Sequence, residues 1–484
     1  MKKIIFFVNV SIFIFIFSSA AMSQNPDRTT PPKLPDPNPL QLPQIQHFKL
    51  SNGLKVILME KHEVPLVQLN VVVKTGTVND PEDKTGLANI TLDMMDEGAG
   101  GKSSLEIADA IDFLGAEIST KSGQYYSEVD LHTPLSKFDE ALKIMGDIIL
   151  HPDFPENELK RKKKERLTII TQWHDNPSSI AGIAFNKYLY GNHPYGRIYL
   201  GDEKSINSFS TDDLKKFYNE YFKSNNAFVV AVGDIKKDDL KTKLENLLGK
   251  WQSGNVKDVS VAEPEQVKKR IIYLIDKPGS AQSVIYIGRI GAKRLTPDYN
   301  SIIVMNTILG GSFTSRLNDN LREQHGYTYG ARSRFSFGPV PGNFIAYASV
   351  QTEVTDKALN EFFKELNRIR EPIPEEEINR AKNLVALSYP SDFQSVSNIA
   401  NQLENMMEYN LPSDYFDSYI TQVLNLKYNE VNAAAEKYIL PDKMIAVVVG
   451  DKTKIEDGLK ALNLGEIKNL SIEDVLGKVP VVED

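Results

Sequence analysis

One helix and strand pair occurs twice in this chain, and no other feature limits the possible fold so strongly. Residues Thr211 to Asp234 contain DDLKKFYNEYF followed by AFVVAVGD, and Tyr428 to Asp451 contain NEVNAAAEKYI followed by MIAVVVGD. Laid over one another without a gap, Leu214 meets Val431, Tyr221 meets Tyr438, Phe222 meets Ile439, and the two Val-Gly-Asp strand ends coincide. Chance likeness of one helix and one strand does not explain agreement in order, length and apolar spacing together, whereas duplication of a domain does. The chain has 484 residues, which is too many for one ordinary core and ample for two domains.

The rest of the pattern fills in each copy. Leu54 to Met59 alternates behind a Ser51-Asn52-Gly53 turn, and Val67 to Val73 is a β-branched run, so both read as strands. Strands at Glu117 to Ser122 and Tyr125 to Thr133 lie among helical segments that begin near Gly86, at Ser104 and at Ser136. Glu156 to Trp173 has helical spacing too, and its basic run Lys160 to Arg166 (KRKKKER) reads as a solvated face. The fold class that follows is α+β: two tandem homologous halves, each an antiparallel sheet with helices packed on one face. The halves are expected at 44–253 and 270–484, with 254–269 as linker and IIYLIDKPG as the opening strand of the second.

Ahead of the first half, Met1 to Ser23 has a Lys2-Lys3 n-region, an apolar Ile4 to Phe17 core and an Ala21-Met22-Ser23 cleavage site, which together read as a secretory signal. Residues 24–43 are crowded with Pro, Asn and Asp and read as a disordered leader. Export to the periplasm, or beyond it, follows, with no stable membrane anchor once the signal is removed. The chain has no Cys and seven His, which removes thiolate nucleophiles, disulfides and Cys-ligated zinc from consideration. A net charge of −8 without a phosphate-tracking basic surface argues against nucleic acid as a partner.

The stretch with most chemistry runs from Leu309 to Gly330, LGGSFTSRLNDNLREQHGYTYG. Gly310 and Gly311 suit a turn, Ser312, Thr314 or Ser315 suits a helix cap, and Phe313, Leu317 and Leu321 recur at helical spacing. Gly326 should end that helix, leaving Arg322 at its C-terminal end and Tyr327 and Tyr329 beyond it. A guanidinium and a phenol are donors suited to an amide carbonyl or its oxyanion. A structural Arg-Tyr pair in a core or interface is the plainer reading, and spacing alone leaves both open.

With the Gly-Gly, Ser-Arg-Leu, Leu-Arg-Glu and Tyr-Gly elements in this order, the stretch resembles the C-terminal half of an M16 (insulinase, or pitrilysin-like) metallopeptidase. The resemblance covers nearly everything from Phe48 to about Leu464. It implies two similar halves facing one another across a cavity. It also implies that Arg322 and Tyr329, with Tyr327 as a competitor, hold a substrate carbonyl at a zinc site.

That zinc site is missing from the sequence. Two His at i and i+4 on a helix, with a Glu beside them, meet the needs of a hydrolytic zinc, and M16 enzymes carry them as an inverted H-x-x-E-H. The corresponding segment reads GLANITLDMMDEG: Asn89 and Asp93 stand at the two ligand positions and Leu92 at the place of the catalytic Glu. The third ligand, a Glu, is expected near Ile169 and Ile170. No His has another within four residues. Asp93, Asp96 and Glu97 offer a weak hard-cation site as a rival reading, and His193 in the loop YLYGNHPYGRIYLGD is an isolated ligand candidate.

An emptied zinc helix beside an intact Arg-Tyr element resembles the non-catalytic chain of two-chain M16 peptidases. The resemblance implies no metal or cofactor on this chain and no catalysis by it alone, with Zn on a partner M16 subunit that keeps H-x-x-E-H. Peptides or unfolded polypeptides would be the substrates of such a heterodimer. A stand-alone peptide-binding or scaffold protein with no role in proteolysis is the alternative, and residual hydrolysis by the lone chain a weaker third.

Overall fold

The computed structural model describes residues 40–481. The signal sequence and most of the Pro-rich leader lie outside the described residues, among which no helix is long and apolar enough to cross a membrane. Two six-stranded sheets organise the chain. The first contains β1 (Ile45–Lys49), β2 (Lys55–Glu60), β3 (Leu66–Val73), β4 (Glu117–Ser122), β5 (Ser127–Pro134) and β6 (Ala227–Gly233), in the order β1-β2-β6-β3-β5-β4. The second contains β7 (Ile271–Asp276), β8 (Gln282–Ile290), β9 (Thr328–Phe335), β10 (Asn343–Gln351), β11 (Ile445–Gly450) and β12 (Glu466–Leu470), in the order β9-β10-β8-β11-β7-β12.

Read from opposite edges, the two orders agree in all but the outer strand. The repeated pair becomes α4 (Thr211–Tyr221) with β6 and α6 (Tyr428–Tyr438) with β11, and each of these strands lies third from one edge of its sheet. Both are fully buried, which is why both read as unbroken apolar runs rather than as alternating ones. The strand pairs are mostly antiparallel, as expected, but β2 runs parallel to β6, β7 to β11 and β12 to β7. A strand that returns through a helix enters its sheet from the same end as its neighbour, so these crossovers make parallel pairs that hairpin patterns do not show. The outer strand also differs: β1 comes from the start of the first half, β12 from the end of the second.

Helices of the same half cover one face of each sheet, and the other face is covered by a helix from the opposite half. α3 (Pro177–Tyr190) packs across β8 and β11, and α5 (Val396–Glu408) packs across β3 and β6. The core accordingly runs from one half into the other: Ile57, Val72, Phe228 and Val230 share a buried cluster with Ile399 and Leu403 of α5. Phe185 of α3 presses on the second sheet so closely that a Cβ on Gly288 would lie 2.7 Å from its ring and 2.0 Å from the Phe344 carbonyl oxygen. The halves are therefore packed together by reciprocal helices.

Candidate functional site

The helix expected near Gly86 is α1 (Leu87–Asp93). Gly86 has φ 89°, and a Cβ there would lie 2.4 Å from the Leu200 carbonyl oxygen, so only glycine lets the helix start against that loop. Asp80 caps it, its carboxylate accepting from the amides of Gly86 at 2.8 Å and Ala88 at 2.7 Å. Burial pushes the Asp80 carboxyl up to about 7 despite those two donors.

Asn89 and Asp93 share one face of α1, and what lies between them is a guanidinium. Arg166, on α2 (Glu156–Asp175), donates from Nη2 to Asn89 Oδ1 at 2.6 Å and to Asp93 Oδ2 at 2.5 Å, and from Nη1 to the Leu200 carbonyl at 3.3 Å. Only 2% of Arg166 is exposed. This corrects the reading of Lys160 to Arg166 as a solvated face: Lys160, Arg161, Lys164 and Glu165 are exposed, Lys162 and Lys163 are half-buried, and the last residue turns inward one helical turn before Ile170. Burial lowers the Arg166 pKa, and the Asp93 carboxylate opposes that shift. An organic cation thus bridges the two ligand positions of α1. Leu92 is fully buried in the first-half core, and so is Ile170, while Ile169 is partly exposed. A neutral amide, two buried hydrocarbons and a resident guanidinium do not fit a zinc ion, and nothing here can activate water for one.

The rival hard-cation set is not assembled either. Asp93 is held by Arg166, and Glu97 by Arg161 and by Lys162 at 2.7 Å. Asp96 is pushed up to about 6 by burial and by the neighbouring Glu97 charge. Among the described residues the carboxylates that do converge are Glu128, Asp130 and Glu404, where β5 meets α5. His193 is a structural residue: Nδ1 accepts from the Tyr195 amide at 3.1 Å, Nε2 donates to the Ala262 carbonyl at 2.9 Å, and the ring packs against Tyr190 and Tyr195.

The Arg-Tyr stretch forms an element that apolar spacing did not describe fully. Helical turns at Arg316–Asn318 widen into a π-helical stretch over Asp319–Gln324, and a second such stretch spans Thr307–Gly311. Turns of this kind recur at functional sites because they offset side chains from the regular helical rows. Ser315 stands at the N-cap and Leu317 and Leu321 are fully buried, as the spacing predicts. Phe313 is the exception. It lies before the helix and 57% of it is exposed, and the Arg322 guanidinium sits over its ring at 4.6 Å. Among the described residues the guanidinium otherwise pairs only with Glu323, at 3.3 Å.

Gly326, with φ 66°, turns the chain into β9, the edge strand of its sheet. Register shifts between Thr328 and Ala331, and Thr328 Oγ1 holds the bulge by donating to the Ser349 carbonyl at 2.7 Å and accepting from the Gly330 amide at 3.1 Å. Tyr329 is thrown out of the ladder, 92% exposed. Tyr327 instead stacks on His325, with ring centroids 4.8 Å apart, and packs on the second-half core. Of the two tyrosines the structure therefore presents Tyr329 to solvent. No hydrogen bond or ion pair among the described residues joins Arg322 or Tyr329 to the α1 site, which belongs to the other half.

Two family profiles match the chain: Insulinase (Peptidase family M16) over residues 55–203 and Peptidase M16 inactive domain over residues 208–385. A Bacillus subtilis protein named as an uncharacterized zinc protease, YmxG, is 25% identical, covering 84% of this chain and 98% of its own length. A Helicobacter pylori protein named as a non-peptidase homolog, also YmxG, is 23% identical over 86% of this chain and 96% of its own. Among solved structures, a peptidase M16 inactive domain from Pseudomonas fluorescens superposes with a TM-score of 0.79 at 28% identity, covering 84% of this chain and 98% of that one. A Helicobacter pylori protease shares the fold, with a TM-score of 0.79 at 18% identity over 85% of this chain and 100% of that one.

Proposed function

The chain belongs to the M16, insulinase-type, peptidase family as a non-catalytic member, and from that premise we propose that it is the substrate-binding subunit of a periplasmic two-chain zinc endopeptidase. A second M16 chain that keeps an intact H-x-x-E-H would hold the zinc and the general base. This chain would bring Arg322 to the substrate carbonyl and the Tyr329 hydroxyl to the oxyanion that develops on it, where a well-placed donor contributes most. Short or unfolded peptides suit the role, since backbone carbonyls are recognised without regard to sequence.

The observation that carries the reading is the contrast between the halves. In the first, Arg166 fills and closes the place where a metal would act; in the second, Tyr329 stands exposed on a pinned bulge. A phenol held at that exposure by its own strand has no folding role to explain it. Expression of this chain alone, of the M16 chain with an intact zinc motif from the same genome, and of the two together tests the proposal. Peptide hydrolysis by the mixture well above the sum of the separate chains is the expected result, and hydrolysis by the second chain that is indifferent to this one would sink it.

The designation of the Helicobacter pylori relative as a non-peptidase homolog favours the alternative, a stand-alone peptide-binding or scaffold protein. That reading predicts peptide binding by this chain without any effect on a partner's turnover.

A further inference from the structure

Between the halves lies a cavity of about 560 Å³, within the size range of small-molecule and peptide-end sites. Its charge is the unexpected part. The chain carries a net −8, yet among the described residues no Asp or Glu lines this cavity and two arginines, Arg197 and Arg334, do. The Arg334 guanidinium, on β9, makes no hydrogen bond or ion pair among the described residues and lies 5.8 Å from the Tyr347 ring centroid. Arg197 is partly engaged, donating to the Asp80 carbonyl at 3.1 Å and lying 3.9 Å from the Glu82 carboxylate, so Arg334 is the less committed of the two. Ser178 and Ser179 of the first turn of α3 line the same space, with their amides already donating to Asn176 Oδ1 at 2.9 and 3.1 Å.

The walls are flat and apolar as well as cationic. Trp173 and Tyr199, with ring centroids 5.9 Å apart, lie on the first-half side, and Tyr286 and Phe337 on the second-half side. Asn343 also lines the cavity, and its Oδ1 is buried with no hydrogen-bond donor among the described residues. An orphaned acceptor of this kind costs about 1–3 kcal/mol unless something brings it an N–H. One occupant meets all three features: a carboxylate for the arginines, an aromatic or bulky apolar group for the rings, and an amide N–H for Asn343.

We infer that this cavity binds the free C-terminus of a peptide ending in an aromatic or large apolar residue. The site lies wholly within this chain, so it needs no partner subunit and does not depend on the role of Arg322 and Tyr329. Arg334 pairs with the terminal carboxylate, the side chain of the last residue enters among the rings, and Asn343 Oδ1 accepts from a backbone amide.

Calorimetric titration of the purified chain with N-acetyl-Ala-Phe, with the same dipeptide as its C-terminal amide, and with 3-phenylpropionate tests each part. The free acid should bind at least about tenfold more tightly than the amide, and Arg334→Gln should remove that difference while leaving the unfolding temperature unchanged, because the side chain is exposed. Phenylpropionate, which lacks the N–H, should bind more weakly than the dipeptide acid. Equal binding of acid and amide, no saturation at millimolar ligand, or an unaffected Arg334→Gln variant would overturn the inference. Phenylpropionate binding as tightly as the dipeptide acid would overturn its peptide part and leave a small aromatic carboxylate as the occupant.

Discussion

Replacing Arg166 by Met removes the cation between Asn89 and Asp93 while keeping a long unbranched side chain in its place. Three hydrogen bonds go with it, to Asn89, Asp93 and the Leu200 carbonyl. Breaking a fully buried ion pair from one side costs about 3–5 kcal/mol, because the remaining charge is stranded. Asp93 is not fully buried, its side chain being 35% exposed, so water can reach the freed carboxylate and the electrostatic loss is smaller. Adding about 0.5–1.5 kcal/mol for each of the other two bonds brings the expected destabilisation to roughly 2–4 kcal/mol. Urea unfolding of Arg166→Met, Asp93→Leu and the double variant gives the assay. The double variant should recover much of the loss, since no charge is then stranded. A single-variant cost below about 0.5 kcal/mol, the size of a surface change, would refute the claim that this guanidinium ties α1 to α2. So would a double variant that loses the sum of the two singles.

Other consequences can be checked separately. Gly288→Ala should cost about 3 kcal/mol or more, measured by thermal unfolding, because its Cβ would sit 2.0 Å from the Phe344 carbonyl oxygen and against Phe185 of the helix lent by the other half. At the join between halves, burial with the nearby Glu128 and Asp130 charges pushes Glu404 up to about 8, burial and the Asp130 charge push Glu128 up to about 7, and burial and the Glu128 charge push Glu408 up to about 7. The folded chain then holds protons that the unfolded chain has released. Stability from this cluster is intact below the ordinary carboxylate range and is lost as pH rises through about 7 to 8. Glu404→Gln should therefore flatten the decline of the unfolding temperature between about pH 6 and pH 9, and an unchanged slope would contradict the assignment. Tyr327→Phe should leave both stability and the activity of a reconstituted pair within about twofold, since the ring stacks on His325 and no side-chain hydrogen bond among the described residues holds its hydroxyl.

Much of this architecture was legible from the sequence, and for identifiable reasons. The Leu214/Val431 and Tyr221/Tyr438 correspondence marks the duplication because buried strands and the helices feeding them carry local apolar patterns. Reciprocal coverage of each sheet by the other half was not legible, because α3 and α5 look like any amphipathic helices and only tertiary contact shows which sheet they meet. The same limit hid Arg166. A run of six basic residues and a Glu reads as solvated, and the one signal was its position a single helical turn before Ile170 on a helix already expected to face α1. At the Arg-Tyr element, Leu317 and Leu321 were placed by spacing, but Phe313 was misplaced because, of the three candidate caps, Ser315 is the one used, which leaves Phe313 ahead of the first helical turn. Tyr329 and Tyr327 could not be separated until the bulge at Thr328 showed which ring leaves the ladder.

The most direct test of the central claim is the turnover of a reconstituted two-chain peptidase in which only this chain carries Arg322→Ala or Tyr329→Phe. Loss of one carbonyl or oxyanion donor predicts a kcat lower by about 10²–10³, with assembly of the pair unchanged by gel filtration. Unchanged turnover in both variants, or hydrolysis by this chain without a partner, would contradict it.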